Sequence, residues 1–157
     1  FWQIVNSYRG VVLLVNKWDL VEKGTSTMKE FENAVREKIS PFTDVPIVFT
    51  SNLTKQRVLK AFEVAMKVFE NRKRKISTSQ LNDFLLPIMK NQPPPMYKGK
   101  MVRIKYVTQI QSQTPTFAFY CNLPQYVKEP YKRFVENHIR SEWDLTGVTI
   151  RLFFREK

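Results

Sequence analysis

The chain has 157 residues, enough for one or two small domains, with 12 Phe to build cores and a formal net charge of +12. No apolar run reaches the length of a membrane span and no secretory signal is visible, so no membrane partner is expected. The single cysteine, Cys121, rules out an internal disulfide and fits a reducing cytoplasm, and one Cys with one His cannot supply the four ligands of a zinc centre. The first residue is Phe1, not Met, so the chain is expected to be a fragment. Through Lys75 there are 14 basic and 8 acidic residues, and after it 12 and 6, so each part carries +6. A field spread this widely attracts polyanions, RNA foremost; the alternative is a merely soluble basic protein.

In chain order, Val11-Val12-Leu13-Leu14-Val15 predicts a strand buried on both faces, ending in Asn16-Lys17-Trp18-Asp19. In open α/β sheets ligands sit just past the carboxyl ends of strands, where these four residues fall. An ionised carboxylate only accepts hydrogen bonds, so Asp19 suits the two adjacent donors of guanine, its ring N–H and exocyclic amine. Asn16 can donate to the base, and the Lys17 stem can lie over the ring with its charge in water. An ordinary polar strand-to-helix turn is the other reading. Thr27 and Glu30 suggest a capping box opening a helix with Met28, Phe31, Val35 and Ile39 on its core face, stopped by Pro41. Ile47 to Phe49 begins a second strand that runs into Thr50-Ser51-Asn52-Leu53. If the two strands are parallel neighbours, both loops share one edge, and Ser51 with the Asn52 N–H can meet the guanine carbonyl. Val58, Phe62, Ala65, Met66 and Phe69 mark the core face of another helix. The β-α-β-α order is that of the back half of a doubly wound sheet.

Asn71-Arg72-Lys73-Arg74-Lys75 is a basic run that suits phosphate contacts or a solvated helix end. Ser77 and Gln80 suggest a second capping box, opening a helix with Leu81, Phe84, Leu85, Ile88 and Met89 on one stripe and an expected kink or break at Pro87. Pro93-Pro94-Pro95 is expected to be extended. Alternation then predicts strands with Val102, Ile104 and Tyr106 inward against Arg103 and Lys105; Phe117, Phe119 and Cys121 inward against Ala118 and Tyr120; and Val148, Ile150, Leu152 and Phe154 inward against Thr149, Arg151, Phe153 and Arg155. A helix from about Pro124 to Trp143 lies between the last two. On its stripe His138 reads as a core or boundary residue, and Cys121 as a buried small hydrophobe. The order α-β-β-α-β predicts a three-stranded sheet with helices on one face. Its outer face would carry Arg103, Lys105, Tyr120, Arg151, Phe153 and Arg155. Cations with aromatics suit single-stranded RNA, and equally suit docking on another protein domain.

Asn16-Lys17-Trp18-Asp19 with Thr50-Ser51-Asn52-Leu53-Thr54 resembles the guanine-specificity half of a Ras-like GTPase of translation-factor type. Arg74 to Asn82, Gln92 to Pro95 and Leu145 to Arg155 closely resemble the C-terminal part of the Der (EngA) family. These are bacterial GTPases with two tandem G domains and a KH-like domain, acting in large ribosomal subunit assembly. The resemblance covers nearly the whole chain. It implies the C-terminal half of a doubly wound G domain over 1–75, the truncated second of the pair, then an α+β KH-like domain over 76–157. The implied guanine-binding residues are Asn16, Lys17, Asp19, Ser51, Asn52 and Leu53, and no residue is assigned to catalysis or to a metal. The implied function is guanine-nucleotide-dependent binding to rRNA and the large ribosomal subunit in the cytoplasm. The alternative is a non-catalytic interaction module whose KH-like part docks on the sister N-terminal G domain. Asn52 departs from the family, which usually has Ala there, and Lys55-Gln56-Arg57 replaces a more glycine-rich loop. Gly10, Gly24, Gly99 and Gly147 are the only glycines, and none sits in a phosphate-binding Gly-x-x-x-x-Gly-Lys-Ser/Thr loop. GTP or GDP with Mg²⁺ is therefore expected in the intact parent, and no nucleotide on this chain alone.

Overall fold

A computed structural model describes residues 1–22, 24 and 26–156. Lys23 and Thr25 of the polar loop before the first long helix lie outside the described residues. The chain forms two compact units, one of residues 1–72 with 146–148, the other of residues 73–145 with 149–157.

In the first unit a short helix α1 (Trp2–Asn6) precedes strand β1 (Leu13–Val15). Helix α2 (Thr27–Ile39), strand β2 (Ile47–Phe49) and helix α3 (Val58–Lys73) follow. β1 and β2 are parallel, with Leu13 opposite Ile47 and Val15 opposite Phe49. The helix start moves by one residue from the expected box. Ser26 is the N-cap and its hydroxyl donates to the Glu30 carboxylate, while Thr27 Oγ accepts from the Gly24 N–H at 2.8 Å. The strand is not buried on both faces: Leu14 is 56% exposed. Nor does the α3 stripe form a core. Phe62, Met66 and Phe69 stand at the surface, and the buried residues of α3 are Val68 and Asn71. Two strands of three residues offer too little area to cover that stripe. An apolar groove of about 340 Å³ is left between β1 and α3, lined by Val12, Leu14, Val58 and Phe62 among others. The segment 146–148 closes the unit. The Val11 N–H donates to Gly147 O at 2.7 Å, the Gly147 N–H to Asp44 O at 2.8 Å, and Asn71 Nδ2 to Thr146 O at 3.2 Å.

The second unit runs α4 (Thr78–Asn91), β3 (Ile104–Ile110), β4 (Thr116–Cys121), α5 (Glu129–Glu142) and β5 (Arg151–Glu156). Its sheet has the order β3-β4-β5, antiparallel then parallel. The Ser77–Gln80 capping box is present. α4 is not broken at Pro87. A helix-interior proline costs about 3 kcal/mol, but Leu81, Leu85 and Met89 are buried on both sides of it and hold the turns together. The expected helix from Pro124 is divided into a 3-10 turn, Pro124–Tyr126, and α5. Leu81 and Leu85 of α4, Val135 and Ile139 of α5, and Val107, Phe117 and Phe119 of the sheet share one core. Both helices therefore lie on one sheet face, as expected.

The alternation in β3 changes phase. Ile104 pairs with Cys121 but Tyr106 with Tyr120, so Lys105 is the extra residue of a bulge. Directly paired residues share a face, which sends Tyr106 to the outer face and Val107, wholly buried, to the core. This corrects the inward placement of Tyr106.

At the free edge of β3 the Asn82 amide occupies the backbone of Val107, and the Gln109 side chain ties down the chain before α4. Asn82 Oδ1 accepts from the Val107 N–H at 2.9 Å, and its Nδ2 donates to Val107 O at 2.8 Å and Thr78 O at 2.6 Å. Gln109 Oε1 accepts from the Ile76 N–H at 2.7 Å while its Nε2 donates to Arg74 O at 2.9 Å. With the Val107 N–H and C=O occupied, the centre of this edge is a poorer template for another strand. Asn82→Ala should cost about 2 kcal/mol, because two backbone groups of Val107 lose their partners. Urea unfolding would measure it; a loss below about 0.5 kcal/mol, the scale of an ordinary surface change, would show that water substitutes for the amide.

Candidate guanine pocket and basic-aromatic sheet face

Backbone bonds beyond the β1–β2 ladder hold two loops together. The Thr50 N–H donates to Val15 O at 2.8 Å, and the Trp18 N–H donates to Thr50 O at 3.0 Å. Lys17 takes a left-handed φ of 58°, which turns the chain into the 3-10 turn Trp18–Leu20. Trp18 is buried between Phe49, at 4.4 Å between ring centroids, and the edge-on Phe31 at 5.4 Å. The variable residue of Asn-Lys-x-Asp thus anchors the loop. Asn16, Lys17, Asp19, Leu20, Asn52 and Leu53 line one pocket of about 370 Å³.

Five of the six residues expected to bind guanine are brought together there. Ser51 is not at the surface. It is fully buried, its Oγ accepts from the Thr54 N–H at 3.2 Å, and its N–H donates to Gln56 O at 3.2 Å. Its visible role is to shape the loop that presents Asn52 and Leu53. Leu20, which sequence reasoning passed over, adds an apolar wall; its place immediately after Asp19 was the available signal. Lys55 and Arg57 adopt φ of 57° and 55°, the left-handed region that a glycine-richer loop enters without strain.

On the sheet face away from the helices, register puts Tyr106, Tyr120 and Arg155 in one row, Thr108, Ala118 and Phe153 in the next, and Arg151 beside Thr116. The guanidinium carbons of Arg151 and Arg155 lie 5.1 and 5.7 Å from the Phe153 ring centroid, one on each side along the strand. Tyr106 and Tyr120 meet at 5.9 Å. Four of the six expected face residues therefore gather here. Arg103 and Lys105 do not join these rows. Arg103 precedes β3, its N–H donating to Asn122 Oδ1 at 2.8 Å, and Lys105 is the bulge residue; both are exposed. Tyr106 takes the place they leave.

An α-β-β-α-β unit with both helices on one sheet face is KH-like in architecture. Residues 75–155 match the family model described as the KH-domain-like of EngA bacterial GTPase enzymes, C-terminal, and the chain belongs to that family. It is 60% identical to GTPase Der of Christiangramia forsetii, 56% to that of Flavobacterium johnsoniae and 54% to that of Bacteroides fragilis, in each case over the whole chain. The chain spans 36% of the length of each of these relatives.

The remaining reactive groups are quiet. Burial pushes the Cys121 thiol up, against a smaller opposing pull from a backbone bond at Leu123, and Glu156 opposite it on β5 adds to the rise. His138 Nδ1 sits 2.9 Å from Phe134 O and its ring packs on Phe134 at 4.3 Å. Burial raises Tyr131 to about 12, and its hydroxyl donates to Gln92 O at 2.9 Å, just before the proline run. With a folded value above the unfolded one near 10, its contribution to stability is complete below about pH 10 and is lost as pH rises toward 12. In an ultraviolet titration one of the six tyrosines should ionise later than the rest, and Tyr131→Phe should remove that late step. A titration of Tyr131→Phe that matches the wild type in the range near 12 would refute this environment.

Proposed function

We propose that residues 1–75 are the guanine-recognition half of a G domain and that 76–157 are a KH-like domain. The longer protein they belong to would be a bacterial GTPase in large ribosomal subunit assembly, coupling nucleotide state to rRNA binding. The observation that carries the reading is the single pocket holding Asn16, Lys17, Asp19 and Asn52 past the ends of two parallel strands. In this reading Asp19 accepts from the guanine ring N–H and amine. Asn16 donates to the base, and the stem of Lys17 covers one ring face with Leu20 and Leu53 at the rim. Ser51 keeps the Asn52 N–H aimed at the carbonyl by holding the loop. Relatives named GTPase support the assignment. In such a protein GTP or GDP is held with Mg²⁺, which stabilises charge on the phosphates; the loops for that lie outside this sequence. The KH-like unit supplies the RNA contact, favoured by the Arg151-Phe153-Arg155 arrangement, in which cations and a π face are presented together.

The direct test is base choice in the longer protein. Asp19→Asn replaces one carboxylate oxygen with an amide donor facing guanine's donors. Xanthine has a carbonyl in place of the amine, so preference should move from GTP toward XTP. Unchanged preference for GTP in competition binding would remove Asp19 from the base site. The 157-residue chain by itself should bind GDP no more tightly than the millimolar range, since the base contacts lack the phosphate contacts that give G domains their affinity. Micromolar binding in a calorimeter would contradict this.

A further inference from the structure

From Phe84 to Lys128 the chain has no Asp or Glu but six cations: Lys90, Lys98, Lys100, Arg103, Lys105 and Lys128. Two of them, Lys98 and Lys128, lie against one aromatic ring, and Lys100 closes the turn beside it. After the proline run, Tyr97 and Lys100 exchange both backbone bonds, Tyr97 N–H to Lys100 O at 3.1 Å and Lys100 N–H to Tyr97 O at 2.9 Å. Lys98 and Gly99 between them take φ of 49° and 73°. Positive φ at both central residues defines a type I′ turn, a tight and rigid hairpin tip. A Cβ added at Gly99 would meet nothing within 4 Å, so the tip stands in open space. Tyr97 stacks on Tyr126 at 4.8 Å and 27°, and the ammonium groups of Lys98 and Lys128 lie 5.6 and 5.2 Å from the Tyr97 centroid.

These charges are uncompensated. Among the described residues none of Lys98, Lys100 and Lys128 is in an ion pair, and Glu129, next in sequence to Lys128, is 2.6 Å from Lys132 instead. A solvated loop would let its lysines spread apart. Here a tight turn carries Lys98 and Lys100, and the Tyr97 ring holds the ammonium groups of Lys98 and Lys128 beside it, although like charges repel. An anion among them would relieve that repulsion, and the exposed Tyr97, backed by the half-buried Tyr126, adds a π surface for an unpaired base.

We propose that the Lys98-Gly99-Lys100 turn, with Lys128 and the Tyr97–Tyr126 pair, is a contact site for the phosphate backbone of single-stranded RNA. It rests on the RNA-binding role proposed above for the KH-like unit and assigns that role a surface outside the sheet rows of Tyr120, Phe153 and Arg155. Lysines act here as point charges on phosphate oxygens, so the contact is independent of base sequence.

The test is anisotropy of a labelled oligouridylate of roughly 20 nucleotides, titrated with the 157-residue chain between about 50 and 200 mM salt. Wild type, Lys98→Gln/Lys100→Gln/Lys128→Gln and Arg151→Gln/Arg155→Gln are compared. The lysine triple should lose on the order of a hundredfold or more in affinity at the low-salt end. Its log K against log salt slope should flatten by roughly 2, at about 0.7 per lost contact. A Lys→Arg triple should restore both, and circular dichroism melts should leave all variants folded. Wild-type affinity and slope in the glutamine triple would overturn the site while leaving the RNA role standing, as would a loss confined to the arginine double. No RNA binding by the wild type would overturn both together. Binding of the chain to phosphatidylserine vesicles but not to RNA would overturn both as well, and reassign the cluster to an anionic membrane surface.

Discussion

The bulge at Lys105 decides what each side of the KH-like sheet presents. One extra residue between the Ile104–Cys121 and Tyr106–Tyr120 pairs inverts the facing of everything after it in β3. Without the inversion Val107 would face outward and Tyr106 would enter the core beside Phe119. With it, Val107 is fully buried, Tyr106 joins Tyr120 on the outer face, and Asn82 can pair with the Val107 backbone at the strand edge. The bulge sits where the chain arrives from the proline run and the Lys98–Gly99 turn. The acid-free stretch therefore holds a packed, edge-protected strand on one side of Lys105 and an open, strongly charged approach on the other.

The first unit depends on main-chain bonds more than on side-chain packing. Three-residue strands bury little, and the α3 stripe is uncovered. What holds the two loops of the pocket in register is Thr50, whose N–H and C=O bond Val15 and Trp18 respectively. Gly147 plays the same part at the other end. Its φ is 76°, and a Cβ there would lie 2.6 Å from Val68 Cγ2 and 2.9 Å from Val11 O. Only glycine allows that close approach, through which Val11, Asp44 and Val68 meet around one backbone position.

Much of this was legible in the sequence, and the failures have specific causes. Apolar runs and capping residues gave the order of the longer elements because they are local signals, as the Ser77–Gln80 box illustrates, while the short helix α1 went unread. The pocket residues could be grouped because parallel neighbouring strands must end at one edge, a topological inference that needs no side-chain detail. Facing was less legible. Simple alternation from Val102 through Tyr106 cannot register a bulge, although the apolar Val107 directly after Tyr106 was a sign that the period had slipped. The α3 stripe was read correctly as apolar and wrongly as buried, since periodicity reports a helix's preference and not whether a partner surface exists. Ser51 was placed near the base by its position; its burial and its bond from the Thr54 N–H were not readable from the sequence, because they depend on how the loop turns. Pro87 was expected to kink or break α4; the helix runs on through it, with Leu81 and Leu85 buried before it and Met89 after it.

Charge adds a constraint that neither fold unit makes visible alone. A net +12 over 157 residues is destabilising by self-repulsion unless the cations are spaced, paired or matched to a partner. Helix surfaces solve it by pairing: Arg36 with Glu32, Lys60 with Glu63, Lys132 with Glu129 and Arg140 with Glu136 are all three or four residues apart. The strands and turns between Phe84 and Lys128 have no carboxylates to do this. There Lys98 and Lys128 are set against the Tyr97 ring instead, as on the sheet face Arg151 and Arg155 bracket Phe153. A ring holds a cation in place without neutralising it. Pairing on helices quiets the charge, while ring support elsewhere keeps it directed outward and available, and that division marks the non-helical surface of the second unit as the one arranged to meet a polyanion.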